Sequence, residues 1–240
     1  MKRVFWTGDS TVQTNDIITY PQTGIGQAFQ LYVNSDIRIE NFAKNGRSTK
    51  SFMDEGRLKK IEEKISQEDF LFIQFGHNDE KSFDPARYTI PGESFDENLC
   101  TFIRVAREHG AYPVLITPLE RKCFDDLGIL GAGEHLPYVK AIRKVGAAQS
   151  VPVVDLYERS RELLAKAGVQ KAADWYMNLQ PSLYQNYPEG KMDNTHLKYE
   201  GAVVFAGLIA EELKKIGGIY AEILVDPNKK VEGLEDGDRA

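Results

Sequence analysis

The sequence predicts an α/β fold: a three-layer, doubly wound sandwich around a five-stranded parallel sheet. Three observations lead there. Short apolar runs alternate with longer segments of helical periodicity along the chain. The runs are continuous rather than alternating, as in Phe70-Leu71-Phe72-Ile73, which suits strands covered on both faces. Each is bounded by Gly, Pro, Asn or Asp, where the backbone can turn.

The strand candidates are Arg3–Thr7, Ile37–Phe42, Asp69–Phe75, Tyr112–Thr117 and Val151–Asp155. Between and after them, helical spacing covers Gly24–Val33, Arg57–Ser66, Ser94–Glu108, Pro137–Gln149, Leu156–Ala167 and Gly201–Ile216. Ser94 with Glu97 three residues on reads as a capping box, followed by Leu99, Phe102, Ile103 and Ala106 on one helix face. Two stretches fall outside the alternation. Pro118–Leu136 is a long connection, and Asp174–Met192 is rich in aromatics, with Trp175, Tyr176, Tyr184 and Tyr187. Long loops inside compact domains are commonly functional. One domain is expected over residues 1–225, with a charged C-terminal tail at 226–240.

Composition narrows the function. Net charge is −6, and no Lys/Arg cluster stands out, which argues against a nucleic-acid partner. No apolar run approaches the ~18 residues of a membrane span. The two cysteines, Cys100 and Cys123, make no disulfide framework. Behind Lys2 and Arg3 there is no apolar signal-peptide core, so with Met1 as the native start a cytoplasmic protein is expected.

In doubly wound sheets ligands sit beyond the carboxyl ends of the strands. Four motifs meet that test. Thr7-Gly8-Asp9-Ser10-Thr11 follows the first strand and would expose a serine hydroxyl on a tight turn, although Asp-Ser also suits an ordinary Asx turn. Asn41-Phe42-Ala43-Lys44-Asn45-Gly46-Arg47-Ser48 follows the second strand, and Gly46 can present its N–H without a Cβ in the way. Gly76-His77-Asn78-Asp79 follows the third; Asn78 offers a side-chain donor, although this is also good composition for a plain turn. Asp193-Asn194-Thr195-His196 precedes the last helix. A serine needs a base, and an imidazole needs a carboxylate to set its tautomer.

Taken together, these blocks resemble the four blocks of SGNH (GDSL-like) hydrolases in order and position, over residues 3 to about 216. The resemblance implies the flavodoxin-like SGNH fold, with Ser10 as nucleophile, His196 as general base and Asp193 as its orienting carboxylate. It also implies an oxyanion hole from the Ser10 and Gly46 N–H groups and the Asn78 amide. Within the class, Gly8-Asp9-Ser10-Thr11, Phe75-Gly76-His77-Asn78-Asp79 and Thr117-Pro118-Leu119-Glu120-Arg121 are most similar to rhamnogalacturonan acetylesterases. An acetylated, pectic-type oligosaccharide is the implied substrate. His77, Asp79, Arg121 and Trp175 are the residues expected to contact it.

No metal or cofactor is expected, and the chain is read as a monomer or homodimer. A metal hydrolase could use His77, Asp79, Asp193 and His196, yet no spacing such as His-x-x-x-His fixes ligands. A nucleotide binder would want a phosphate-cradling loop after the first strand, where Asp9 puts a repelling carboxylate. A lipolytic esterase or thioesterase, an acetylxylan-type esterase and a non-catalytic carbohydrate-binding relative stay open as alternatives.

Overall fold

The computed structural model describes residues 1–131 and 133–225. The charged tail expected at 226–240 lies outside the described residues. β1 (Lys2–Gly8) is followed by α1 (Ile25–Ala28), a 3-10 turn over Phe29–Leu31, and β2 (Ile37–Asn41). Then come α2 (Thr49–Asp54), α3 (Arg57–Glu62), β3 (Phe70–Gln74), α4 (Ser94–Glu108), β4 (Tyr112–Ile116) and α5 (Leu136–Gln149). β5 (Val153–Val154), α6 (Leu156–Ala173), a hairpin of β6 (Tyr176–Leu179) and β7 (Lys191–Leu197), α7 (Tyr199–Ile216) and α8 (Ile219–Glu222) complete it.

The five main strands pair in parallel in the order β2-β1-β3-β4-β5, as expected for a doubly wound sheet. Side chains alternate across a strand, so neighbouring residues of the continuous apolar runs serve opposite layers. Val4, Trp6, Phe70 and Phe72 pack on one face with Ile25, Phe29, Phe205 and Ile209. Phe5, Leu71 and Ile73 pack on the other with Phe52, Leu99, Phe102 and Ile142. The chain winds outward in opposite directions from β1 and β3, so the crevice beyond their carboxyl ends is a topological switch point.

Several elements differ from the sequence reading. The capping box at Ser94 does not form: Glu93 is the N-cap, without a side-chain cap bond, and Ser94 Oγ accepts from the Ile90 N–H instead. The loop before α4 consumes the hydroxyl, so propensity loses to local hydrogen bonding. α2 lies in a stretch with no helix expectation, and it carries the reciprocal Ser48/Ser51 capping box. α6 runs past the expected Ala167, with a break at Gly168 (φ 72°). β5 has only two residues.

The largest difference is the hairpin. Asp174–Met192 reads as a loop because the residues of β7, Lys191 to Thr195, are polar apart from Met192 and carry no apolar alternation. Gly201 lets α7 cross the root of this hairpin; a Cβ there would sit 2.1 Å from the Trp175 carbonyl oxygen. Among the described residues no helix is long and apolar enough to cross a membrane. Both cysteines are free.

Candidate active site

Ser10 stands just past the end of β1, in a turn that its neighbours build. Gly8 is required by close approach: a Cβ would lie 2.9 Å from the Gln74 carbonyl oxygen and 3.0 Å from Val12 Cγ2. The buried Asp9 carboxylate accepts from the Thr11 N–H (2.9 Å) and hydroxyl (2.8 Å), and its carbonyl accepts from Val12 and Gln13. Burial alone would raise the Asp9 pKa. The His77 imidazole and the Thr11 donors outweigh it and hold the carboxyl below its ordinary value. Ser10 is thereby offered from a rigid turn with its side chain at the crevice.

The partner arrives from the hairpin. Tyr176 pairs with Leu197 and Asn178 with Met192, so five steps along β7 face two along β6. The excess bulges out, and it is this bulge that carries Asp193 to His196. Asp193 Oδ1 accepts from the Thr195 and His196 N–H groups, both at 2.9 Å, which curls the chain back on itself. In a regular strand, residues three apart would point to opposite faces. Here Asp193 Oδ2 lies 2.7 Å from His196 Nδ1, and His196 Nε2 lies 2.8 Å from Ser10 Oγ. The His196 Nδ1–H therefore donates to Asp193, leaving Nε2 to accept from the serine hydroxyl. The two His196 donors, with Thr195, hold the Asp193 carboxyl far below the carboxylate range against the opposing effect of burial. The long Pro118–Leu136 connection steadies the bulge: Lys122 N–H donates to the Asn194 carbonyl (2.9 Å), and Tyr176 hydroxyl to the Glu120 carbonyl (2.6 Å).

Three further donors surround the serine's turn. Neither the Ser10 nor the Gly46 N–H has an acceptor among the described residues. Gly46 has φ 76°, a left-handed conformation natural to glycine. Asn78 is buried, and its Nδ2 donates to the Arg47 carbonyl (3.2 Å) and lies 3.5 Å from Asp9 Oδ2.

The residues expected to contact substrate fare differently. His77 is buried; its Nε2–H donates to the Leu119 carbonyl (2.8 Å), Nδ1 lies 3.4 Å from Asp9, and burial lowers its pKa. It supports the Ser10 turn rather than facing the crevice. Asp79 is fully buried, its Oδ1 accepting from the Thr49 N–H and the Thr49 and Thr89 hydroxyls. It staples α2 and the 84–93 loop to the end of β3. Arg121 is committed to Glu80 at 2.6 Å and to Glu134 at 3.2 Å. Trp175 is only 8% exposed and packs edge-on against Phe205, their centroids 5.9 Å apart, so it belongs to the core. The four residues expected to line a sugar are thus already engaged: Trp175 in core packing, Arg121 in ion pairs, and His77 and Asp79 in buried hydrogen bonds.

Other residues near the site went unread in the sequence. Lys191 lies 3.1 Å from Asp193 Oδ2, and Lys81 and Arg87 approach Asn78. Tyr20 and Tyr184 meet at a half-open cavity of about 430 Å³, shared with Ile17, Ile18, Leu183, Gln185 and Asn186. Its walls are the segment after the Ser10 turn and the loop of the hairpin that carries Asp193 and His196. Tyr184 and Gln185 belong to the aromatic-rich stretch 174–192 already noted as a candidate sugar lining; Tyr20 lies in a turn with no periodic neighbours.

The chain is similar to known proteins in sequence and in fold. The chain is 39% identical over 217 residues to a rhamnogalacturonan acetylesterase of Bacillus subtilis (strain 168), covering 90% of each. It superposes on a crystal structure of a second Bacillus subtilis protein with TM-score 0.74 and 24% identity, covering 90% of this chain and 57% of that one. On an acetylxylan esterase of Geobacillus stearothermophilus the TM-score is 0.61 at 16% identity, covering 88% and 93%; at such identities these two likenesses speak for the fold alone. The family model of GDSL-like lipases and acylhydrolases matches residues 4–209, from β1 into α7 and across every element that builds the site, and the chain belongs to that family.

Proposed function

We propose that this protein is a serine acetylesterase acting on acetylated carbohydrate of the pectic, rhamnogalacturonan type. The observation that carries it is the unbroken line from Ser10 Oγ through His196 to Asp193, at 2.8 and 2.7 Å. In this reading Ser10 Oγ attacks the acetyl carbonyl carbon as its proton passes to His196 Nε2. The carbonyl oxygen, now negative, takes hydrogen bonds from the Ser10 and Gly46 N–H groups and Asn78 Nδ2. The ester C–O bond breaks, and His196 returns the proton to the departing sugar hydroxyl. Water then attacks the acetyl-Ser10 carbonyl with His196 again as base, releasing acetate and restoring the serine. Asp193 holds the imidazole tautomer and steadies its positive form throughout.

The carbohydrate assignment is supported by the 39% identical rhamnogalacturonan acetylesterase and by the Tyr20–Tyr184 cavity, where aromatic faces and the Gln185 amide adjoin. Sugars stack an apolar face on such rings and hydrogen-bond at the edge. A lipolytic enzyme would want an apolar groove at the nucleophile. The larger cavity of about 630 Å³, lined by Tyr32, Leu163, Val204, Leu208 and Leu224, includes none of Ser10, Asp193 and His196.

Initial rates on p-nitrophenyl acetate, butyrate and octanoate, beside an acetylated pectic oligosaccharide and its polymer, test the proposal. Rates should fall steeply beyond acetate, since each ill-fitting methylene costs on the order of 1–3 kcal/mol. Octanoate turned over faster than acetate would replace it with the lipolytic reading.

A further inference from the structure

The two ends of the Asn78 amide have nearly the same shape, so packing alone cannot choose which faces the Asp9–Ser10 turn. Charge chooses. Asn78 Oδ1 accepts from Lys81 Nζ at 2.9 Å and lies 3.4 Å from an Arg87 guanidinium nitrogen. At the other end, Nδ2 faces the Arg47 carbonyl and the Asp9 carboxylate. A flipped amide would set its N–H₂ against two cations and its oxygen against a carbonyl and a carboxylate, reversing every one of these contacts.

The two cations reach this point from different places. Lys81 follows Asn78 by three residues in the turn after β3, and Lys81 has no carboxylate within ion-pairing distance among the described residues. Its desolvation, with Arg87 and Arg121 nearby, lowers its pKa, so the ammonium is held there against a cost. Arg87 comes from the 84–93 loop, anchored by Asp84 at 2.5 Å, and that loop is stapled to Asp79 through Thr89. Arg87 also borders Gly46: a Cβ on Gly46 would lie 3.7 Å from its guanidinium nitrogen.

We propose that Lys81 and Arg87 are positioning residues for acyl transfer, which orient the Asn78 amide toward Ser10 and polarise it into a stronger donor. The proposal rests on the serine esterase reading. Two positive charges on Oδ1 draw electron density from the amide nitrogen, so its N–H₂ binds a developing oxyanion better than a neutral side chain held by water. Neither cation touches the substrate; both act through Asn78.

The test uses p-nitrophenyl acetate with Lys81→Met, Arg87→Met and their double variant, each also placed in an Asn78→Ala background. Lys81→Met is expected to lower kcat about tenfold or more with KM within about twofold, and the double variant to lose at most what Asn78→Ala loses. In the Asn78→Ala background neither substitution should lower kcat further, because their route is already gone. Lys81→Arg should recover most of the rate. Unchanged kcat in the double variant, a loss confined to KM, or losses that add to that of Asn78→Ala would overturn the proposal. Should Lys81→Met not fold, Lys81→Gln and Arg87→Gln carry the same comparison. Wild-type turnover surviving Ser10→Ala would instead remove the esterase reading, a separate outcome.

Discussion

His196 Nε2 meets Ser10 Oγ at 2.8 Å across 186 residues of sequence, the serine on a turn after β1 and the histidine on a bulge of the β6–β7 hairpin. Two rigid pieces, each folded by local hydrogen bonds, meet at one sheet edge. If that contact performs the chemistry, Ser10→Ala and His196→Ala should each lower kcat/KM for p-nitrophenyl acetate by about 10⁴-fold or more, and the pair together scarcely further. Asp193→Asn should retain more activity than either. A Ser10→Ala protein keeping several per cent of the wild-type rate would exclude the mechanism.

Asn78→Ala should lower kcat by roughly 10²- to 10³-fold with little change in KM, as when one oxyanion donor is lost. Steady-state kinetics separate the two parameters. A loss sitting mainly in KM would make Asn78 a binding residue instead.

The aromatic platform makes an opposite pair of expectations. Tyr20→Ala with Tyr184→Ala should weaken kcat/KM on an acetylated oligosaccharide about tenfold or more, at ~1 kcal/mol per lost ring contact, while sparing p-nitrophenyl acetate. Trp175→Ala should instead lower stability by roughly 3–5 kcal/mol, as for a core tryptophan, and affect both substrates alike. Oligosaccharide turnover unchanged by the tyrosine substitutions would take the sugar elsewhere on the surface.

Asp79 couples the site to pH through stability. Burial raises its carboxyl to about 7 from 3.8, against the Thr49 and Thr89 donors, and its Oδ2 has no hydrogen-bond partner. A raised folded pKa means the stabilisation is complete below pH 3.8 and is lost as pH rises toward 7. Asp79→Asn, neutral at every pH, should therefore gain on wild type by up to roughly 3 kcal/mol between pH 5 and 8. Urea unfolding at both values measures it. A difference that does not change with pH would mean the carboxyl stays ionised.

What could be read from residues alone was whatever depends on neighbours in the chain. Continuous apolar runs marked the parallel strands, because a strand covered on both faces has no polar side. Gly8-Asp9-Ser10 marked the serine turn, because its glycine and Asx bonds are made within four residues. Three motifs at strand ends, with a fourth before the last helix, pointed to one crevice, since parallel strands put their carboxyl ends together.

Tertiary structure decided the rest. Composition does not report whether a polar or aromatic residue is covered: His77, Asp79 and Trp175 carry suitable groups for a sugar, yet the 84–93 loop, the Pro118–Leu136 connection and α7 enclose them. The bulge that brings Asp193 to His196 arises from a mismatch in strand pairing, which a polar stretch does not signal. Tyr20 and Tyr184 come together only when the hairpin folds over the first loop, and the Asn78 amide takes its direction from two cations that local spacing does not orient. Each of these depends on a contact between segments remote in sequence, and such contacts exist only once the layers have packed.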